Sequence, residues 1–129
     1  MKKQNCIEIV LISSISIISW IYLLGIENIN ITNTYWLKNG DLSQYQIGWN
    51  FFRNDDWRFP IGLNPNYGIY LGGNIILSDS IPILALIFKL FKFFLPQSFQ
   101  YFSIWILVCI FLQLYFSFKI INYYTKNFY

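Results

Sequence analysis

IVLISSISIISWIYLLGI, residues Ile9 to Ile26, is 18 residues long and carries no charge. A membrane-spanning helix needs roughly 17–25 mostly apolar residues. A cleaved signal peptide has a shorter apolar core of about 7–15 residues, followed by a small-x-small site. This run is longer and continues Gly25-Ile26-Glu27-Asn28 without such a site. It reads as an uncleaved signal anchor, with Lys2 and Lys3 holding its N-terminus on the cytoplasmic side. Ser13, Ser16 and Ser19 recur every three residues and form a small-residue stripe suited to close helix packing. Trp20 and Tyr22 lie near the outer end, where an aromatic belt is expected.

The remaining composition agrees with a membrane setting. The chain has 129 residues, of which 56% are hydrophobic, 22% aromatic and 12% charged, against about 25% charged in an ordinary soluble domain. One domain of this size has too little interior to hide so much apolar side chain. The absence of histidine excludes His-ligated zinc and Ser-His-Asp or Cys-His catalysis within the chain. Cys6 and Cys109 both sit in apolar runs and read as small hydrophobes, not as a disulfide framework. Residues 27–80 carry a net −2, and the excess of lysine flanks the apolar stretches, where it marks membrane edges and headgroups. No basic stripe is interleaved with aromatics on a polar segment, so nucleic acid is not an expected partner.

Two further apolar stretches follow the first. Phe99 to Phe118 has 20 uncharged residues and is a clear span. Ile81 to Leu95 has 15 residues and contains Lys89 and Lys92. It crosses only if Ile75 to Leu77 extend it and the lysines snorkel; the alternative is that it lies in the interface. Positive charges divide four against five in either topology. Because Leu95-Pro96-Gln97-Ser98 suits a tight turn before a span, three spans are favoured, at 9–26, 75–95 and 99–118. The expected class is an all-α membrane protein with a short second span. Its extracytoplasmic loop, 27–80, is too aromatic for a flexible linker. Within it, Asp41 to Arg53 predicts a short amphipathic helix with Leu42, Tyr45, Trp49 and Phe52 near one side. Pro60, Gly62, Pro65, Gly68, Gly72 and Gly73 predict turns after it.

Chemistry, if present, falls to the carboxylates of that loop. Asp41 lies some 15 residues beyond the first span, where it can act as a general base toward a hydroxyl. Asp41-x-x-Gln44 also matches a capping box, which needs no catalytic role. Asp79 precedes Ile81-Pro82 and suits the start of a helix. The functional alternative is a second carboxylate meeting Asp41 around a divalent cation with oxygen ligands. Asp55-Asp56 between Arg53 and Arg58 reads as a self-neutralising turn, or else the two arginines hold a lipid phosphate. Asn30-Ile31-Thr32 matches a glycosylation sequon, a pattern common by chance.

Asn39-Gly40-Asp41, Gly48-Trp49-Asn50-Phe51-Phe52-Arg53, the run from Trp57 to Gly68 and Ser78-Asp79-Ser80-Ile81-Pro82 carry a resemblance. Together they resemble the N-terminal part of a bacterial family of multi-pass membrane proteins of unknown function, one that looks like the GT-C glycosyltransferases. The likeness covers residues 9–118. It implies an inner-membrane enzyme taking sugar from a polyprenyl-phosphate donor at the extracytoplasmic face. Asp41 matches the position of the early-loop catalytic aspartate. A cation, or Arg53 or Arg58, would stabilise the departing phosphate. Such proteins have many more spans, so the chain is expected to be the amino-terminal piece of a longer polypeptide. The alternative expectation is a small non-catalytic membrane protein that binds a larger membrane partner.

Overall fold

The computed structural model describes residues 2–68, 72–78 and 81–127. Among them the chain is mostly helical: α1 (Lys2–Leu24), α2 (Asp41–Asn54), α3 (Pro82–Leu90) and α4 (Phe102–Asn127). Short 3-10 turns cover Tyr35–Lys38 and Lys92–Phe94. The chain divides into two compact units, one formed by 1–31 with 101–129 and the other by 32–100.

The first unit is a pair of long helices. Cys6–Leu24 and Phe102–Thr125 are 19 and 24 residues long, and both are apolar enough to cross a membrane. The core helix of a soluble protein is mostly buried, whereas in α4 burial is confined to Phe102 and Ser103 at its start. The helices run antiparallel, because Glu8 pairs with Lys119 at 3.4 Å near one end and Trp20 Nε1 donates to the Ser103 carbonyl at 2.7 Å near the other. Ile12 and Ser16 are buried one helical turn apart, so the predicted serine stripe lies at the packing face. Ser16 satisfies its own hydroxyl by donating to the Ile12 carbonyl at 2.7 Å.

In the second unit, α2 begins at the predicted residue and ends one later, at Asn54. Its inner face buries Trp49 and Phe52 completely. The predicted turn region contains a minimal antiparallel pair, β1 (Leu63–Asn64) with β2 (Gly73–Asn74), in register Leu63↔Asn74 and Asn64↔Gly73. Gly72 has φ +62, and a Cβ there would come within 3.0 Å of the Pro65 backbone, so only glycine fits. Asn64 Nδ2 donates to the Gly48 carbonyl at 3.1 Å, which fastens the β pair to α2.

The stretch 75–95, expected as a second span, is broken in the structure. Asn74 draws Ile76, Leu77 and Ser78 into a turn through its side-chain and backbone oxygens. Helix α3 then starts with proline in its first turn and runs for nine residues. At 1.5 Å per residue that is about 14 Å, under half of a hydrocarbon core. Two candidate spanning helices are therefore present among the described residues, not three.

What binds the end of this stretch to α2 is one side chain. Arg53 Nη1 donates to the carbonyls of Pro96 at 2.7 Å and Gln97 at 3.1 Å. Its Nη2 donates to the carbonyls of Lys92 at 3.3 Å and Leu95 at 2.7 Å. One turn earlier, Trp49 Nε1 donates to the Phe99 carbonyl at 3.1 Å. Hydrogen bonds to charged groups contribute about 1.5–3 kcal/mol each and are not additive. Arg53→Met should therefore cost about 3 kcal/mol or more. Arg53→Lys should rescue little, since an ammonium has three donors and no planar fork. A thermal melt of the detergent-solubilised full chain checks this; a melting point unchanged in Arg53→Met would contradict it.

Candidate functional site

Of the four residues expected to form a site, the structure brings none together among those it describes. Asp41 is exposed as the first residue of α2. It does not cap the helix: Gly40 takes the N-cap position at φ 64, a conformation open to glycine, and no side-chain cap bond forms. The capping box is thus not made, and Ser43 Oγ instead donates to the Gly40 carbonyl at 2.7 Å. Asp41 still places negative charge at the positive end of the helix dipole. Asp79 lies outside the described residues.

Arg53 is committed to the four carbonyls of the 92–97 turn, so its terminal N–H groups are not free for the phosphate contact expected of it. Burial lowers its pKa from the ordinary value. Arg58 is half exposed and reaches Asp55 at 3.3 Å. Asp55 is buried, and its pairing with Arg58 fits the self-neutralising turn expected. Burial works against its carboxylate. That effect is outweighed by the hydrogen bonds from Arg58 and the Asp56 N–H and by the charges of Arg58 and Lys89, so its pKa falls below the usual carboxylate range.

Lys89 is the member of this cluster that sequence reasoning missed. Instead of snorkelling, it is 1% exposed. Its ammonium sits 3.9 Å from the Phe52 ring centroid and 4.8 Å from that of Trp57, and it donates to the Asp56 carbonyl at 3.2 Å. Burial, partly offset by Asp55, lowers its pKa. The cluster joins α3 to the end of α2 and is structural.

The open polar surface of this unit lies elsewhere. Two adjoining depressions, of about 240 and 380 Å³, share Thr34, Gln46 and Asn50. Lys38, Ser43, Gln97 and Ser98 complete their polar lining, and Lys38 is the one charged residue in it. Gln46 Nε2 donates to Asn50 Oδ1 at 3.2 Å, one turn along the helix. Gln46 is only 7% exposed, and its Oε1 has no hydrogen-bond donor among the described residues. A buried amide oxygen without a donor is uncommon and calls for an explanation. The available signal was an i,i+4 pair of amides on an amphipathic helix. At about 100° per residue, Ser43, Gln46, Ile47 and Asn50 share one side of α2 and Asp41 lies on the other. Among the described residues no group of three or more His, Cys, Asp or Glu side chains is placed to hold a metal.

With this geometry in hand, comparison with known families is decisive on one point. A family described as a domain of unknown function, DUF6311, matches residues 13–129. The chain belongs to the DUF6311 family. The DUF6311 match takes in the polar groove, the Arg53 turn, the Lys89 cluster and all four residues predicted from sequence. No curated protein and no solved structure matches the chain.

The Asp55 cluster predicts a pH response. A carboxylate with a depressed folded-state pKa stabilises the fold above its unfolded value, and that contribution is lost as pH falls through the folded value. The wild-type melting point should therefore drop below about pH 4. Asp55→Asn should start lower at neutral pH and change less through the same window. Parallel pH profiles for the two proteins would contradict this.

Proposed function

We infer that this DUF6311 chain is a multi-pass membrane protein whose 32–100 unit binds the sugar of a polyprenyl-phosphate donor for glycosyl transfer. The observation that carries the binding step is Gln46: a buried amide oxygen without a donor, in a groove lined by hydroxyls, amides and one lysine. Sugar hydroxyls supply the donors that such an oxygen needs, and Lys38 suits the adjoining phosphate. The transfer chemistry rests on the GT-C resemblance. By that resemblance Asp41, across α2 from the groove but only two residues from Ser43 at its end, accepts the proton of the acceptor hydroxyl. The acceptor oxygen bonds to the anomeric carbon and the bond from that carbon to the phosphate oxygen breaks, at the N-terminal end of α2. Arg58, half exposed and paired with Asp55, lies beyond the opposite end of α2 from Asp41, so the leaving phosphate falls to Lys38 in this reading. In the antiparallel hairpin Lys2, Lys3, Lys119 and Lys126 fall at one end. We assign that end to the cytoplasm and the 32–100 unit to the outer face of the inner membrane.

A second reading has its own observation. A recess of about 300 Å³ between α1 and α4 is lined by Ser13, Ser16, Ile17, Leu107, Val108 and Phe111. Small residues there would admit a helix of a larger membrane partner. Under that reading the chain alone extracts in detergent as a stable complex with one partner.

The test pairs two variants of the full chain in nanodiscs. Gln46→Leu should weaken binding of undecaprenyl-phosphate-linked glucose about tenfold, the value of one orphaned polar contact. Asp41→Asn should bind it normally yet transfer no labelled sugar to the acceptor lipids of native membranes. Unchanged affinity in Gln46→Leu overturns the groove assignment, and normal transfer by Asp41→Asn overturns the catalytic one.

A further inference from the structure

Helix α3 is inside out for a protein surrounded by water. Its one charged residue, Lys89, is buried at 1% exposure, with Ala85 on the same inner side. Ile83 and Leu90 are 71% and 64% exposed, and Ile87 lies between them on the outer side. At about 100° per residue these three fall within roughly 60° of one another, opposite Ala85 and Lys89. The 3-10 turn that follows continues the outward apolar surface, with Phe93 and Phe94 each 87% exposed and Phe91 half exposed.

Burying an ammonium while three aliphatic side chains face outward costs free energy twice over in water. It is the favourable arrangement where the outside is apolar. We propose that the outer face of 82–94 beds in the lipid bilayer at the boundary between headgroups and acyl chains. The inference rests on the membrane reading above.

Three features select lipid over a protein as the occupant. The unit's chain ends, at residues 32 and 100, lead into the two helices long enough to span, so it is tethered to the bilayer at both ends. The rings of Phe91, Phe93 and Phe94 follow one another at the end of the helix, in the manner of residues at a membrane interface. Lys92 lies among them, and no acidic residue occurs from residue 81 to 129, so anionic headgroups meet no like charge. The short helix fits: about 14 Å is enough to lie along the interface and too little to cross.

The experiment uses the full chain with Cys6 and Cys109 replaced by serine, reconstituted in vesicles of phosphatidylcholine and phosphatidylglycerol. Single nitroxides are placed by Leu90→Cys and Phe93→Cys, with Leu112→Cys in α4 as the deep reference and Asn39→Cys as the aqueous one. Accessibility to oxygen and to a water-soluble nickel chelate gives the depth of each label. The labels at 90 and 93 should show an oxygen-to-nickel ratio severalfold above that at 39 and clearly below that at 112. A ratio equal to that at 39 overturns the proposal, as does a depth equal to 112 or shielding from both reagents by a protein. If the label at 112 is itself open to nickel, the membrane reading fails first.

Discussion

The 32–100 unit depends on the guanidinium of Arg53. Its four bonds to the carbonyls of Lys92, Leu95, Pro96 and Gln97 hold a stretch of backbone that has left regular helix and has no ladder of its own. Backbone carbonyls removed from water need donors, and a planar fork with fixed N–H directions serves several at once. Trp49, one turn earlier on the same face of α2, adds the Phe99 carbonyl. The two side chains place the 92–99 segment against α2, and with it the Gln97 and Ser98 wall of the polar groove. They also fix where α3 ends, which leaves Lys89 under the rings of Phe52 and Trp57.

Charge in this unit is used inward. Arg53, Asp55 and Lys89 are all buried, while long apolar side chains on α3 and the following turn face out. That inversion is the observation on which the proposed lipid contact of α3 rests. It stands beside two largely unburied helices that are long and apolar enough to cross a membrane. The polar groove lies along the other side of α2.

Where one segment carries its own periodicity, the fold was legible in sequence. The 9–26 and 99–118 stretches became α1 and α4, and the amphipathic pattern from Asp41 placed α2 to within a residue. The 75–95 stretch misled because its apolar content is real while its continuity is not. Asn74 and Pro82 break it, and Lys89 finds a partner only in tertiary structure. The sequence offers Arg53 and Arg58 alike as flanks of a self-neutralising turn or as phosphate ligands, since an exposed arginine and one turned toward distant carbonyls have the same local sequence. Asp41 reads from sequence as either a cap or a general base; Gly40 takes the cap position, and its positive φ starts the helix one residue earlier. Gln46 and Asn50 carry no signal beyond their spacing, as the burial of the Gln46 oxygen arises only in the folded unit.

The most direct measurement of this account is the NMR spectrum of the arginine side chains. The chain has two arginines, Arg53 and Arg58, so selective ¹⁵N-arginine labelling reads the clamp against an internal control. Arg53 held by four carbonyls should give separate, slowly exchanging Nη proton signals, while the half-exposed Arg58 gives averaged signals that exchange with water. Averaged, water-exchanging signals from both residues would mean that no clamp exists and that the 82–99 segment is held in some other way.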